Sequence, residues 1–369
     1  MKITIVQGPF LPVPPINGGA VEKLWFAMGK EFYAQGHEVT HISKIEKSVP
    51  PSEVIAGVKH IRISGFSAPK NFVLAKIYDF IYSLRAFRKL PPGDILVTNT
   101  FFLPALPCRK GNGKLIASVE RMPRGQLKFY RKSVYFRANS TPVLKAICRE
   151  VPSAYSRSFM IPNPLPSVGR YEGPFENKEK TILYVGRIHP EKGIEILAEA
   201  FELLTKRIRH GFTLKIVGPC LINQGGGGED YALSLRKRFS SVNQLEWVGP
   251  IFDEQLLFKE YQKASIFVYP SVAEKGETFG LAALEAMSQG CATIVSDLDC
   301  FKDFIIDQKN GFIFNHRQNA IESLFGILKD IISEMPDERL EFLRNKAREV
   351  CDTHAIKKIA LAFIEAVKK

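Results

Sequence analysis

Twice along its length the chain alternates short apolar runs of β type with longer runs of helical period. A proline-crowded stretch parts the two series. In the first series, residues 2–6, 37–42, 58–63, 94–98, 114–119 and 134–138 read as strands. The helix that opens at Gly18-Gly19 carries Val21, Leu24, Trp25, Met28 and Phe32 on one side, and residues 72–90 and 142–149 follow as helices. Residues 161–174 show neither period and read as a linker. The alternation then restarts, with strands at 181–185, 213–217, 245–248, 266–269, 292–296 and 312–314 and helices between them, among them 191–209 and 230–239. Only the end differs: 320–332, 337–350 and 355–367 read as successive helices. Strands alternating with helices imply parallel βαβ units. The expected fold class is therefore α/β, with two Rossmann-like doubly wound domains facing a central cleft, one over residues 1–165 and one over 166–352.

Residues 271–290 are the stretch with the most chemistry. Leu281, Leu284 and Met287 recur at helical spacing, and Gly290 closes the segment. Glu277 and Glu285 lie eight residues apart, about 12 Å along the axis if both are helical. That is too wide for a shared-proton pair or a retaining-glycosidase pair, which needs about 5 Å. Spacing alone fits two solvated carboxylates on a buried helix equally with two grips on one elongated polar ligand. The amides of Thr278, Phe279, Gly280 and Leu281 would point from a helix N-terminus, where anions bind. A second element, Val185-Gly186-Arg187-Ile-His-Pro-Glu191-Lys192-Gly193, puts two cations five residues apart where a strand gives way to a helix. It suits a diphosphate clamp. A third, the loop that ends in Gly18-Gly19, sits in the place of a phosphate loop but is neither GxGxxG nor GxxxxGK[ST].

Together, Gly18-Gly19 with Gly36-His37-Glu38-Val39, Arg187-x4-Lys192-Gly193, and Glu277-x7-Glu285 with Phe279-Gly280 resemble the family 4 retaining glycosyltransferases of GT-B fold, in order and spacing across nearly the whole chain. Val217-Gly218-Pro219 and Trp247-Val248-Gly249 fit the same pattern. The resemblance implies that a late helix, about 353–369, completes the first domain, which would bind the acceptor while the second binds the donor. It implies that Arg187 and Lys192 hold the leaving diphosphate, that Glu277 binds hydroxyls of the donor sugar, and that Glu285 holds the ribose. Gly186, Thr278, Phe279, Gly280 and Leu281 would line the donor, Gly249 and Ile251 would lie near the base, and Gly18 and Gly19 would give backbone contacts near the β-phosphate. The implied reaction retains anomeric configuration and takes a nucleotide-diphosphate sugar as co-substrate, a UDP-sugar first among donors. No cofactor and no metal are expected, since cations and helix amides can stabilise the leaving phosphate. Asp297-Leu-Asp299 looks like a metal-binding DxD but reads better as a helix-capping turn. Gly225 to Gly228 read as a mobile loop. The chain departs from the family where a His is usual after the 114–119 strand: Glu120 and Arg121 stand there, and Asn99 stands where an acceptor-side His is common. These three are candidates for sugar or acceptor contacts.

The net charge of +13 is unevenly placed: 24 of the 51 Lys/Arg and 9 of the 38 Asp/Glu fall in residues 1–165, net +15, leaving −2 for the rest. Residues 70–89 and 121–137 mix cations with aromatics, a pattern that suits an anionic membrane surface. A peripheral, cytoplasmic enzyme acting on a lipid-linked or cell-surface glycan precursor follows. Six scattered Cys without a CxxC pair argue against a zinc site or disulfide scaffold. The charge also admits a basic nucleic-acid-binding protein, yet no RNA- or DNA-binding signature accompanies it, so no nucleic-acid partner is expected. A nucleotide-sugar epimerase of the same fold is the other alternative.

Overall fold

The computed structural model describes residues 1–16, 18–47, 49–69, 71–107, 111–165, 169–209 and 211–368. Lys70 at the start of the basic stretch, Cys108, and positions 166–168 in the expected linker lie outside the described residues. The chain forms two compact units, Met1–Pro166 with His354–Lys369, and Ser167–Thr353.

In the first unit, β1 (Lys2–Val6), β2 (Glu38–Lys44), β3 (Ser52–Ile55), β4 (Val58–Ile63), β5 (Ile95–Thr98), β6 (Lys114–Val119), β7 (Tyr135–Ala138) and β8 (Ser158–Met160) make one sheet, ordered β3-β4-β2-β1-β5-β6-β7-β8. All neighbours are parallel except β3 and β4. β3 and β8 are absent from the sequence-based expectation. Ser52-Glu53 interrupts any apolar run, and β3 exists because Ala56 (φ 48°) and Gly57 (φ 81°) fold it back onto β4 as a two-residue hairpin. β8 has three residues, too few to show a period. The helix Ile356–Lys368 belongs to this unit. Its Phe363 ring meets Trp25 at 5.7 Å and Phe32 at 5.5 Å between centroids, both from the helix Ala20–Ala34.

In the second unit, β9 (Glu179–Val185), β10 (Thr213–Val217), β11 (Leu245–Gly249), β12 (Ala264–Tyr269), β13 (Ala292–Ser296) and β14 (Phe312–Phe314) form an all-parallel sheet ordered β11-β10-β9-β12-β13-β14. β12 and β13 are buried at every position. Such strands read as unbroken apolar runs because helices cover both faces of a parallel sheet. The expected helix over 320–332 is α-helical only across Ala320–Lys329, and Asp330–Glu334 widens into a π-helical turn. Among the described residues no helix is long and apolar enough to cross a membrane.

One feature of the first unit governs its response to acid. His41 and His60 face each other across β2 and β4, stacked at 5.4 Å, wholly buried, and their four ring nitrogens have no hydrogen-bond partner. Burial first, then the neighbouring His60 and Arg62, hold His41 well below the ordinary imidazole range. Burial and Arg62 bring His60 down to about 4, and burial with Lys358 brings His354 to about 4. All three fold as neutral rings. The unfolded chain takes up protons below about pH 6.5 that the folded chain refuses down to about pH 4, so stability falls with acid across that window. Each ring contributes up to about 1.4 kcal/mol per pH unit. Urea unfolding at pH 7.5 and pH 5 should show this loss, and His60→Phe should flatten the pH dependence.

Candidate active site

The strand order of the second unit reverses between β9 and β12. In open α/β sheets the crevice for ligands lies at the carboxyl ends of the strands at such a point. β9 ends at Val185 and delivers Gly186 and Arg187; β12 ends at Tyr269 and delivers the segment that carries Glu277. The two loops touch through their backbones. Gly193, at φ 65°, lies so close to the Pro270 carbonyl that a Cβ would stand 2.1 Å from its oxygen. Val272 N also donates to Glu191 O at 2.9 Å.

That contact brings Lys192 against Glu277. Lys192 Nζ donates to Glu277 Oε2 at 2.7 Å, with side chains 7% and 10% exposed. The ammonium also lies 5.3 Å from the centroid of Tyr269. Tyr269 bonds Glu277 as well. Burial, followed by the Glu277 charge, pushes this phenol well above its usual range, so it stays a neutral hydroxyl. Arg187 is aimed by two partners: Nη1 donates to Gly225 O at 2.6 Å and Nη2 pairs with Glu191 at 2.8 Å. Tyr184 Oη donates to the Arg187 carbonyl at 3.0 Å beneath it.

Glu277 and Glu285 do not share a helix. Glu277 N and Gly276 N both donate to Ala273 O, closing a turn, and Gly280 at φ 82° caps a helix that runs only Leu281–Ser288. A Cβ on Gly280 would sit 2.3 Å from the Phe301 ring, so the left-handed cap is enforced by packing. The rise of about 12 Å expected for two helical carboxylates therefore does not apply. Thr278 and Phe279 precede the helix, and Leu281 begins it. Glu285 is half-buried and accepts from Tyr261 Oη at 3.0 Å. Gly249 ends edge strand β11, where its carbonyl accepts from Gly218 N at 2.9 Å; Ile251 follows, half-buried.

The glycine run is pinned rather than loose. Gly226, Gly227 and Gly228 donate to Leu221 O, Ile188 O and Cys220 O at 2.8–2.9 Å, which leaves Gly225 O facing Arg187. Asp297 is bound by His316 and Arg317, and Asp299 by Lys302 at 2.8 Å. Among the described residues no group of three or more His, Cys, Asp or Glu is placed to hold a metal ion. The described cysteines 148, 220, 291, 300 and 351 are all free thiols.

In the first unit, the order reverses between β1 and β5, and Gln7 and Asn99 follow those strands. Asn99 N donates to Val6 O at 2.9 Å, while neither its Oδ1 nor its Nδ2 has a partner. Gln7 is wholly buried with Oε1 unpartnered. Gly18 and Gly19 lead into the helix Ala20–Ala34 with φ 76° and 99°. Glu120 is committed to the buried Arg137 and accepts from Ser118 Oγ at 2.7 Å. Arg137 in turn is anchored on Ile161 O and Asn163 at 2.8 and 2.7 Å. Arg121 is exposed and faces Glu22, whose pKa burial raises against the pull of Arg121. Sequence reasoning missed Gln7, Tyr184, Tyr261, Tyr269 and His316. Glu191, four residues after Arg187, was visible in the sequence as a partner for a cation. The tyrosines were not, since each looks like an ordinary strand or helix aromatic.

The chain is similar to several known proteins. The model for glycosyl transferases group 1 matches residues 170–350. An uncharacterized glycosyltransferase of Methanocaldococcus jannaschii is 32% identical over 152 residues, 41% of this chain and 36% of that protein. A phosphatidyl-myo-inositol mannosyltransferase of Mycolicibacterium smegmatis is 24% identical over 354 residues, 89% of this chain and 85% of that protein. The match thus spans about a third of the first relative and most of the second. Among solved structures, a sucrose-phosphate synthase from Thermosynechococcus elongatus superposes with a TM-score of 0.78 at 19% identity, covering 100% of this chain and 98% of that one. Anabaena HepE in complex with UDP superposes at 0.71 with 15% identity, covering 100% of both chains. These likenesses establish the GT-B fold, and the match over residues 170–350 makes the second unit a group 1 glycosyl transferase domain, similar to those of family 4.

Proposed function

We propose that this protein transfers a sugar, with retention of configuration, from a nucleotide-diphosphate sugar to a glycan or lipid-linked acceptor without a metal. The observation that carries the reading is the buried Lys192–Glu277 pair at the ends of the two switch-point strands, with Arg187 beside it. A carboxylate held by an ammonium on one oxygen and by a phenol is a fixed acceptor for sugar hydroxyls. Cleavage of the anomeric C–O bond leaves the electron pair on the diphosphate oxygen. Arg187 and Lys192 stabilise that charge as preorganised donors do in an oxyanion hole. Glu285, oriented by Tyr261, takes the ribose hydroxyls, and the base lies toward Gly249 and Ile251. UDP is the favoured nucleotide because a fold neighbour was solved with it. Retention is carried by the family resemblance.

Acceptor recognition falls to the first unit, where the unpartnered Asn99 amide and Gln7 Oε1 match the hydrogen-bonding needs of a polyol. Arg121 is available for an anionic acceptor group, and Glu120, held by Arg137, orients the turn beside it. A peripheral membrane role is supported by the helix Phe72–Lys89. Phe72, Val73, Ile77 and Phe80 are 68%, 65%, 49% and 42% exposed, while Asp79, Tyr82, Ser83 and Ala86 are buried on the opposite side. Lys76 lies over the rings of Phe72 and Phe101, and burial there draws it down to about 8. Phe129, 78% exposed, stands between Lys128 and Arg131 in the second basic segment. Exposed apolar side chains interleaved with cations are what an anionic interface takes up.

Calorimetric titration of UDP-, GDP- and ADP-sugars should single out one donor. With it, Arg187→Ala should lower kcat by about 100-fold or more, as loss of a transition-state donor does. Glu285→Ala should instead raise donor KM with a smaller change in kcat. Wild-type kinetics in both variants would remove these residues from the site. In vesicle flotation at low salt, the protein should rise with anionic liposomes and not with zwitterionic ones, and Phe72→Ser with Ile77→Ser should reduce the bound fraction. Absence of binding to anionic vesicles would end the membrane reading.

A further inference from the structure

Besides the Lys192–Glu277 pair and the bond from Ser271 Oγ to Glu191 O, the segment that presents Glu277 has three ties to its surroundings. Val272 N donates to Glu191 O at 2.9 Å, and Ser296 Oγ donates to Ser271 O at 2.5 Å. The third tie is ionic. Glu274, on the same segment, meets His316 Nε2 at 3.1 Å and Arg317 Nη2 at 2.7 Å. His316 and Arg317 lie just past β14 and are gripped in turn by Asp297, which follows β13. Asp297 accepts from the His316 amide at 3.2 Å and pairs with its Nδ1 and with Arg317 Nη1. The imidazole is 4% exposed, whereas the Glu274 side chain is 53% exposed.

Both nitrogens of one imidazole therefore face carboxylates, Asp297 on one side and Glu274 on the other. A neutral imidazole has a single N–H to donate; only the imidazolium satisfies both. The charged groups around the ring are Asp297 from the β13 turn, Glu274 from the segment after β12, and Arg317 on its own element. Arg317 bridges the same two carboxylates, so the arrangement closes into a four-residue ring of charges. Burial alone would raise Asp297, but the His316 amide, the imidazole and Arg317 outweigh it and hold this carboxyl below its usual range.

We propose that His316 and Arg317 are positioning residues for the donor site: through Glu274 they latch residues 271–280 in the conformation that presents Glu277. The proposal rests on the donor-site reading of Glu277. It makes donor affinity depend on two residues that do not touch the donor.

The test pairs two measurements on the full chain. Amide hydrogen exchange of residues 271–280, without ligand, reads the latch itself; calorimetric binding of UDP-glucose reads its consequence. His316→Gln should speed exchange in 271–280 and weaken UDP-glucose by about three- to fivefold, the scale of one partly exposed ion pair. Glu274→Gln should reproduce the variant. A melting temperature close to wild type separates this local effect from general unfolding. Equal exchange in 271–280 in wild type and His316→Gln overturns the latch. Faster exchange in the variant, with wild type binding no nucleotide sugar at any pH, upholds the latch and overturns the donor reading instead.

Discussion

A lysine and a glutamate 85 residues apart in the chain meet at 2.7 Å, almost out of reach of water. Each alone would cost several kcal/mol to bury. They are stable together because β9 and β12 are neighbours in the sheet and because the Gly193 turn lets the backbones of their loops touch. Everything else in the donor element is arranged around that pair. Tyr269 supplies a neutral hydroxyl to the carboxylate, the Gly280 cap turns the chain into the helix Leu281–Ser288, and the pinned glycine run with Glu191 aims Arg187. A buried ion pair is weak support for stability in itself, since apolar residues of similar volume often do as well. Its presence at the carboxyl ends of switch-point strands is better explained by a ligand that needs both charges.

Much of this was legible before any coordinates. Continuous apolar runs such as Ile266-Phe267-Val268 announced buried parallel strands, and the Arg187-x4-Lys192 and Glu277 elements follow the carboxyl ends of the adjacent strands β9 and β12. What was not legible depended on contacts distant in sequence. That Lys192 and Glu277 neutralise each other, that Arg187 leans on Gly225, and that Glu120 belongs to Arg137 are consequences of strand order. The spacing left open whether Glu277 is helical, because nothing in the run Thr278-Phe279-Gly280 says that Phe301 packs where a side chain at 280 would be. The glycine run was misread for the opposite reason: composition alone suggests looseness, while the backbone hydrogen bonds hold it.

The first unit shows a division between faces. Its Ile356–Lys368 helix closes an aromatic cluster around Phe363, and beneath the helix Ala20–Ala34 lies a pair of neutral histidines that only a dry interior tolerates. At the carboxyl ends of β1 and β5, Gln7 and Asn99 likewise keep polar atoms without partners. Buried polar groups are normally satisfied, so their exceptions ask for a cause. An acceptor hydroxyl is the cause proposed. The concentration of positive charge in residues 1–165 and the outward-facing Phe72, Ile77 and Phe80 are the grounds for the proposed anionic-surface role of the same unit.

The central claim is that the Lys192–Glu277 pair is a ligand site rather than a structural bridge. Replacing both at once, Lys192→Met with Glu277→Leu, removes the two charges without leaving either one buried and alone. Thermal unfolding and donor calorimetry on this double variant separate the two roles. The account predicts a melting temperature near or above wild type together with loss of nucleotide-sugar binding. A double variant that folds normally and still binds the donor with wild-type affinity would contradict it.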